Sequence, residues 1–248
     1  MRGFRVERGA FVAELDATER AAVAAVVADV VDLLGVERPD GASADADRTE
    51  VDRADDGAPL SALWVRSDDI EAPRDAALHR LLPDASRDDP AVTAEFRRLT
   101  EDDLRRTKSE RLVTLWHLLA SDPADGWPAA ALVVLPAIAA GVAATLTDVR
   151  LVLAERLGLS DDESSDALYN ELESDEPQPE VLDARTAVRQ YLGSVYVALS
   201  WLQESLVAAM LDELDRRGAA AASGTVTRSG GRAGVRRAVL NRGPPALR

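Results

Sequence analysis

Apolar and polar positions alternate over Phe4–Leu15, FRVERGAFVAEL, with a break at Gly9, and that period of two predicts a small N-terminal β-hairpin. From Asp16 onward the period becomes helical. Ala22, Val23, Val26, Val27, Val30, Val31 and Leu34 form one apolar stripe. Asp16-Ala-Thr-Glu19 has the form of a capping box with Asp16 as N-cap, and Gly35 is placed to stop the helix. Between Val36 and Pro59 the stripe disappears. Only Val36 and Val51 are large and apolar there, which predicts a disordered acidic loop. Leu60–Trp64 reads as a short helical anchor, and Asp75–Leu82 as a short helix stopped by Pro83. Asp89-Pro90 supplies an N-cap and a first-position proline for a helix that carries the chain to Leu119.

That helix contains EFRRLTEDDLRRTKSERL, residues 95–112, in which eleven of eighteen side chains are charged. As one helix it holds two i,i+4 ladders, Arg97–Glu101–Arg105 and Arg98–Asp102–Arg106–Glu110, a surface whose charges satisfy each other. Thr100-Glu-Asp-Asp103 also matches a capping box, so the run can equally end one helix at Leu99 and open another at Thr100. The bend is the preferred reading.

Gly126–Thr147 is 22 residues without a charge, long enough to span a bilayer. Ten of them are Ala or Gly and Pro136 sits in the middle, so a buried core helix at about 128–157, stopped by Gly158, is expected instead. Ser160–Pro179 is acidic and reads as loop with one turn of helix around Leu168–Leu172. In a last helix from Asp183 to Arg217, Val188, Leu192, Val195, Leu199, Leu202 and Leu206 form a heptad-like seam. Tyr196, Val207 and Met210 make a second apolar face, and Val197 and Trp201 a third. Glu204 lies away from the seam and either faces solvent or meets a cation, Arg150 before Arg156. Asp103, outside both ladders, caps Thr100, reaches Arg150 or Arg156, or meets a partner. Asp103, Arg150, Arg156 and Glu204 are therefore the candidate interhelical polar network, and Arg105, Arg106 and Lys108 the candidate partner surface.

The elements predict a mainly α fold: a bundle of about five main helices with a small N-terminal β-hairpin. Residues 1–35 hold the hairpin and first helix, 36–59 the acidic loop, 60–217 the bundle that packs on 1–35 as one domain, and 218–248 a disordered Arg-rich tail. Aromatics are only 4% of the 248 residues, so the core rests on Leu, Val and Ala. The net charge is −15, and −21 over residues 1–217 without the six tail arginines. Such a body repels phosphate backbones, which leaves at most weak DNA contact through the tail. No aromatic side chain interleaves the tail arginines for base stacking.

There is no cysteine, which removes disulfides, thiolate metal sites and thiol chemistry. His79 and His117 stand alone, with no partner at metal-ligand spacing. Asp161, Asp162, Glu163 and Asp166 lack the glycine and ligand alternation of a calcium loop. No catalytic residue, cofactor site or metal site is expected. Acids before and within the first apolar stretch predict no signal peptide, and a cytoplasmic, non-membrane protein is expected.

MRGF at the start, EFRRLTEDDLR at 95–105, LTDVRLVLAERLG at 146–158 and SWLQESLV at 200–207 carry a resemblance. In order and spacing they resemble an actinobacterial family of domains of unknown function that is identified with AosR-type oxidative-stress transcriptional regulators, over most of residues 1–210. That resemblance implies a soluble helical protein acting with transcription machinery and sensing oxidants through a cysteine pair. The sensing step has no residues here. The expected function is a non-enzymatic regulator acting through protein–protein contacts. An adaptor or scaffold for Clp-type proteolysis, and an enzyme with an unrecognised site, are the alternatives. Partner identity and oligomeric state stay open.

Overall fold

The computed structural model describes residues 1–36, 73–86, 88–123, 126–173 and 183–229, with side chains as far as Ala220. The expectations for 37–59, for Leu60–Trp64 and for the tail beyond Ser229 fall outside the described residues. Residues 1–209 form one compact unit and 210–248 a second. The chain is mainly α, with strands β1 (Arg2–Glu7), β2 (Ala10–Glu14) and β3 (Ala131–Val134). The helices are α1 (Ala17–Leu33), α2 (Ala76–Leu81), α3 (Pro90–Ala120), α4 (Pro136–Leu157), α5 (Asp162–Glu173) and α6 (Ala184–Ser229).

The hairpin forms as its pattern requires. Arg8 and Gly9 take φ of 50° and 79°, the two left-handed positions of a two-residue type I′ turn. Arg8 is held in that costly conformation from outside. Its guanidinium donates to the Gly126 carbonyl at 2.8 Å and lies 4.8 Å from the centre of the Trp127 ring. The sheet has a third strand that the sequence pattern hides: β3 pairs antiparallel with β2, Val12 opposite Val133 and Glu14 opposite Ala131. Residues 131–134 therefore leave the long helix expected at 128–157, which starts at Pro136, its first-turn proline. With neighbours on both edges, β2 is buried on both faces, Phe11, Val12 and Ala13 all being nearly inaccessible.

The capping box at α1 is complete: Asp16 accepts from the Glu19 N–H, and Glu19 accepts from the Asp16 N–H, both at 2.8 Å. Gly35, at φ 75°, ends the helix region as expected. Within the apolar stripe sits Arg20, almost wholly buried. Its guanidinium donates to four carbonyls: Leu118 at 3.0 Å, Leu119 at 3.1 Å, Ser121 at 2.7 Å and Ala131 at 2.9 Å. Three of these lie at or just beyond the C-terminal end of α3, where carbonyls have no partner within the helix and the dipole favours a cation. Arg20 thus ties α1, α3 and β3 together. Burial draws its pKa below the ordinary guanidinium value, and nearby Asp122 acts in the opposite direction.

Helix α1 packs chiefly along α3, and α4 against α2 and α3. The core is aliphatic: Val27, Val31, Leu112, Leu115, Leu146 and Val149 are all buried. Helices α4 and α6 (over Ala184–Ala220) are both long and apolar enough to cross a membrane by length and composition. The inner face of α4, however, buries Thr145 and Asp148 along with its apolar residues, and Asp148 forms an ion pair with Lys108 of α3. The seam of α6 is buried from Val195 through Leu199, Leu202 and Leu206, whereas Val188, Trp201 and Val207 are exposed.

Two further elements exceed their predictions. The acidic stretch after Gly158 is a full helix, α5, rather than a single turn. Asp161 initiates it by accepting from the Ser164 N–H at 2.8 Å, so this carboxylate is engaged in helix capping. Helix α5 docks through Leu168, which sits so close to Gly193 of α6 that a Cβ there would come within 2.9 Å of its Cδ1. Helix α6 runs past Arg217 to Ser229; in the second unit Glu213 pairs with Arg216 and Arg217.

Candidate partner-binding site on helix α3

Helix α3 is one uninterrupted helix of 31 residues, so the bend preferred at Thr100 is absent. The Thr100 hydroxyl donates backward to the Phe96 carbonyl at 2.8 Å instead of capping a new helix. The reason lies on the inner face, where a chain of charges spans the junction. Arg97 (6% exposed) donates to Glu101 (7% exposed) at 2.7 Å and also to Asp84. Glu101 accepts from Arg105 at 2.9 Å, and Arg105 donates onward to the Leu34 carbonyl, at the end of α1, at 2.8 Å. His79 Nε2 lies 3.5 Å from Asp84. Buried charges persist only when paired and hydrogen-bonded, and here every link joins two elements or two turns of α3. The first ladder expected from the sequence therefore forms, with Arg97 and Glu101 buried and Arg105 part-buried. Of the second, Arg106–Glu110 forms, whereas Arg98 binds Glu95 and Arg106 binds Asp103.

The opposite face of the same turns is apolar and open. Val92, Phe96 and Leu99, at i, i+4 and i+7, are 52%, 50% and 51% exposed. Phe96 also borders a dimple of about 20 Å³ between the α2–α3 loop and α3, lined by Leu82, Pro83, Thr93 and Leu104. The start of α3 is fixed at its cap: Asp89 accepts from the N–H groups of Ala91 and Val92 at 3.0 and 3.1 Å. Thr93 exchanges hydrogen bonds with Ser86 of the preceding loop. A rigid backbone thus presents three large apolar side chains in a row, framed by the Arg98–Glu95 and Arg106–Asp103 pairs.

The sequence-predicted site residues are distributed as follows. Asp103, with its side chain 81% exposed, pairs only locally with Arg106. Arg150 donates to Gln203 at 2.8 Å and lies over the Tyr196 ring at 5.3 Å. Arg156 binds Asp75, the N-cap of α2, at 2.6 Å. Glu204 is exposed, and α6 meets Arg150 through the adjacent Gln203. The four do not converge. Burial pushes the Asp75 carboxyl up, but hydrogen bonds from Arg156 and the Ala77 and Leu78 N–H groups outweigh it and hold the pKa below the usual range. Of the candidate surface, Arg105 and Lys108 are drawn inward to Glu101, Leu34 and Asp148, and Arg106 remains outside. In the sequence the only signal for this stripe is the i, i+4, i+7 spacing of Val92, Phe96 and Leu99 within a charged helix.

Stretches quoted for the family resemblance meet in space. Gly3 lies against α6 so closely that a Cβ would be 2.9 Å from Ser205 Cβ and 3.2 Å from the Trp201 ring, and the Phe4 N–H donates to Ser205 Oγ at 3.0 Å. Among the described residues no group of three or more His, Asp or Glu side chains is placed to hold a metal ion.

A family model described as a domain of unknown function (DUF2017) matches residues 1–210. No curated protein and no solved structure matches the chain.

Proposed function

The chain belongs to this family of domains of unknown function, and on that premise we propose that it is a non-enzymatic regulatory protein whose working surface is the open face of α3. One observation carries this reading: Val92, Phe96 and Leu99 are exposed in register on a helix whose opposite face is locked by the Arg97–Glu101–Arg105 chain, buried at Arg97 and Glu101. Folding gains nothing from displaying three large apolar groups on one stripe, and such a patch framed by charges suits a protein partner that lays an apolar face across it. The partner we propose belongs to the transcription machinery, as the resemblance to AosR-type regulators implies. The signal reaching this protein is not thiol oxidation, since no thiol exists. DNA contact is confined to weak, salt-sensitive attraction by tail arginines. The protein acts in the cytoplasm, and α4 is a core helix, consistent with the Asp148–Lys108 pair on its inner face.

The test is affinity capture by the full chain from its native cells, compared with Phe96→Asp and Leu99→Asp variants. RNA polymerase or a sigma factor should be retained by the parent and lost from both variants, with melting temperature unchanged because these residues are half exposed. Equal retention by the parent and both variants removes α3 as the working surface.

A further inference from the structure

The sheet has an open edge beside an apolar groove, and we propose that this edge is a second binding site, which takes an extended peptide segment of a partner protein as a fourth strand. The backbone directions of β3 follow from its bonds. The Ala130 carbonyl accepts from the Leu15 N–H at 2.9 Å, so even-numbered residues of this segment face β2. Ala131 instead donates to the Pro128 carbonyl at 2.9 Å and accepts from Arg20 at 2.9 Å, both away from β2. Antiparallel ladders alternate residue by residue, so Val133 turns its N–H and C=O to the same open side as Ala131. Among the described residues no backbone group bonds to Val133 there. The other outer edge, β1, is treated differently: its Phe4 N–H is capped by Ser205.

Alongside Val133 lies a groove of about 520 Å³ between β3 and the C-terminal half of α3. Leu118, Trp127, Leu135 and Ile138 line it, and Leu135 is among the most exposed large apolar residues of the first unit. An added strand would bond through Val133 and direct alternate side chains among these residues, which is how an edge strand and its adjoining pocket divide affinity and selectivity. The charge of the occupant is set by Asp122, exposed at one end of the groove. Its complement is a segment that carries a basic residue at that end and β-branched or aliphatic residues at every second position after it. This site is separate from the α3 face, and its test stands or falls independently of the partner proposed there.

The probe is a set of fluorescein-labelled hexapeptides, each a lysine followed by alternating aliphatic and threonine residues, titrated against the full chain by fluorescence anisotropy. Binding should saturate for members of the set. N-methylation of the peptide amide that faces the Val133 carbonyl should weaken it by about two- to tenfold, since the one backbone hydrogen bond it donates is lost. Val133→Pro, which removes the outward N–H, should weaken binding likewise; because Val133 also packs against Ala10, Val12 and Ala131, its melting temperature is measured beside it, and the N-methylated peptides, which leave the fold untouched, carry the test. Asp122→Lys should weaken the lysine peptides and favour counterparts that begin with glutamate. Absence of binding across the set overturns the proposal. Equal binding of N-methylated and parent peptides also overturns it, and would make the groove a merely apolar surface. A concentration-dependent dimer of the chain that Val133→Pro abolishes would assign the edge to self-pairing instead.

Discussion

Replacing Arg20 removes one side chain from four carbonyls at once. In Arg20→Met the volume and apolar stem are nearly kept, so the loss isolates the hydrogen bonds. The bonds to Leu119 and Ala131 are buried, whereas those to Leu118 and Ser121 are part-buried and can be replaced by water. Each buried acceptor left bare costs about 1–3 kcal/mol, and a hydrated one little. The two buried carbonyls together give a cost of roughly 2–6 kcal/mol, less whatever the fold recovers by no longer burying a cation. That is a large part of a typical stability of about 5–15 kcal/mol. Arg20→Lys keeps a charge but replaces a planar fork by a point with three donors, and should recover part of the loss. The assay is urea unfolding of the full chain followed by circular dichroism. A lower midpoint at unchanged slope is expected, Met below Lys below the parent. An unfolding free energy for Arg20→Met within about 0.5 kcal/mol of the parent, the scatter of ordinary surface changes, would refute the reasoning, because the carbonyls would then need no partner.

Gly3→Ala should destabilise by about 1–3 kcal/mol through overpacking, since its Cβ meets Ser205 Cβ at 2.9 Å; Ser205→Ala in the same chain should relieve little, because the clash is with Cβ rather than the hydroxyl. Asp75 titrates below its unfolded value of about 3.9, so its stabilisation is complete at neutral pH and is lost as pH falls from about 4 through the lower folded value. Asp75→Asn should keep the helix cap, lose under about 1 kcal/mol at pH 7 and show a shallower decline of melting temperature with acid; an unchanged acid slope would count against the Asp75–Arg156 clasp.

What the sequence disclosed was local. The hairpin, the capping box at Asp16, the Asp89-Pro90 start and the Arg97–Glu101–Arg105 ladder all rest on contacts between near neighbours in the chain, where residue type and spacing decide geometry. What it hid was either short or distant. Strand β3 has four residues, too few for a period, and it abuts a helix in one uncharged stretch, so only Pro136 marked the boundary. Helix α5 reads as loop from the sequence because an acidic run is the pattern of a solvated segment, although Asp161, Asp162 and Glu163 suit the positive end of a helix. The bend at Thr100 was a sound local inference overruled by burial of the ladder, since breaking the helix there would separate Arg97 from Glu101. Arg20 bonds across 98 to 111 residues, a separation that no pattern in one sequence reports. The candidate site divides the same way: Arg105 and Lys108 read from the sequence as part of an outward partner surface, but their partners, Leu34 and Asp148, lie on other parts of the chain and turn them inward.

The closure of β1 on α6 also sets an order of events during synthesis. Phe4 and Ser205 are 201 residues apart, so the hairpin leaves the ribosome long before the hydroxyl that caps its edge. Translation proceeds at about 5–20 residues per second, and for on the order of ten seconds or more the strand carries an uncapped edge and Gly3 lacks the α6 surface it packs against. The first unit therefore finishes folding late, when nearly all of its chain is present, and a ribosome stalled before residue 205 should display an N-terminal hairpin open to proteases and chaperones.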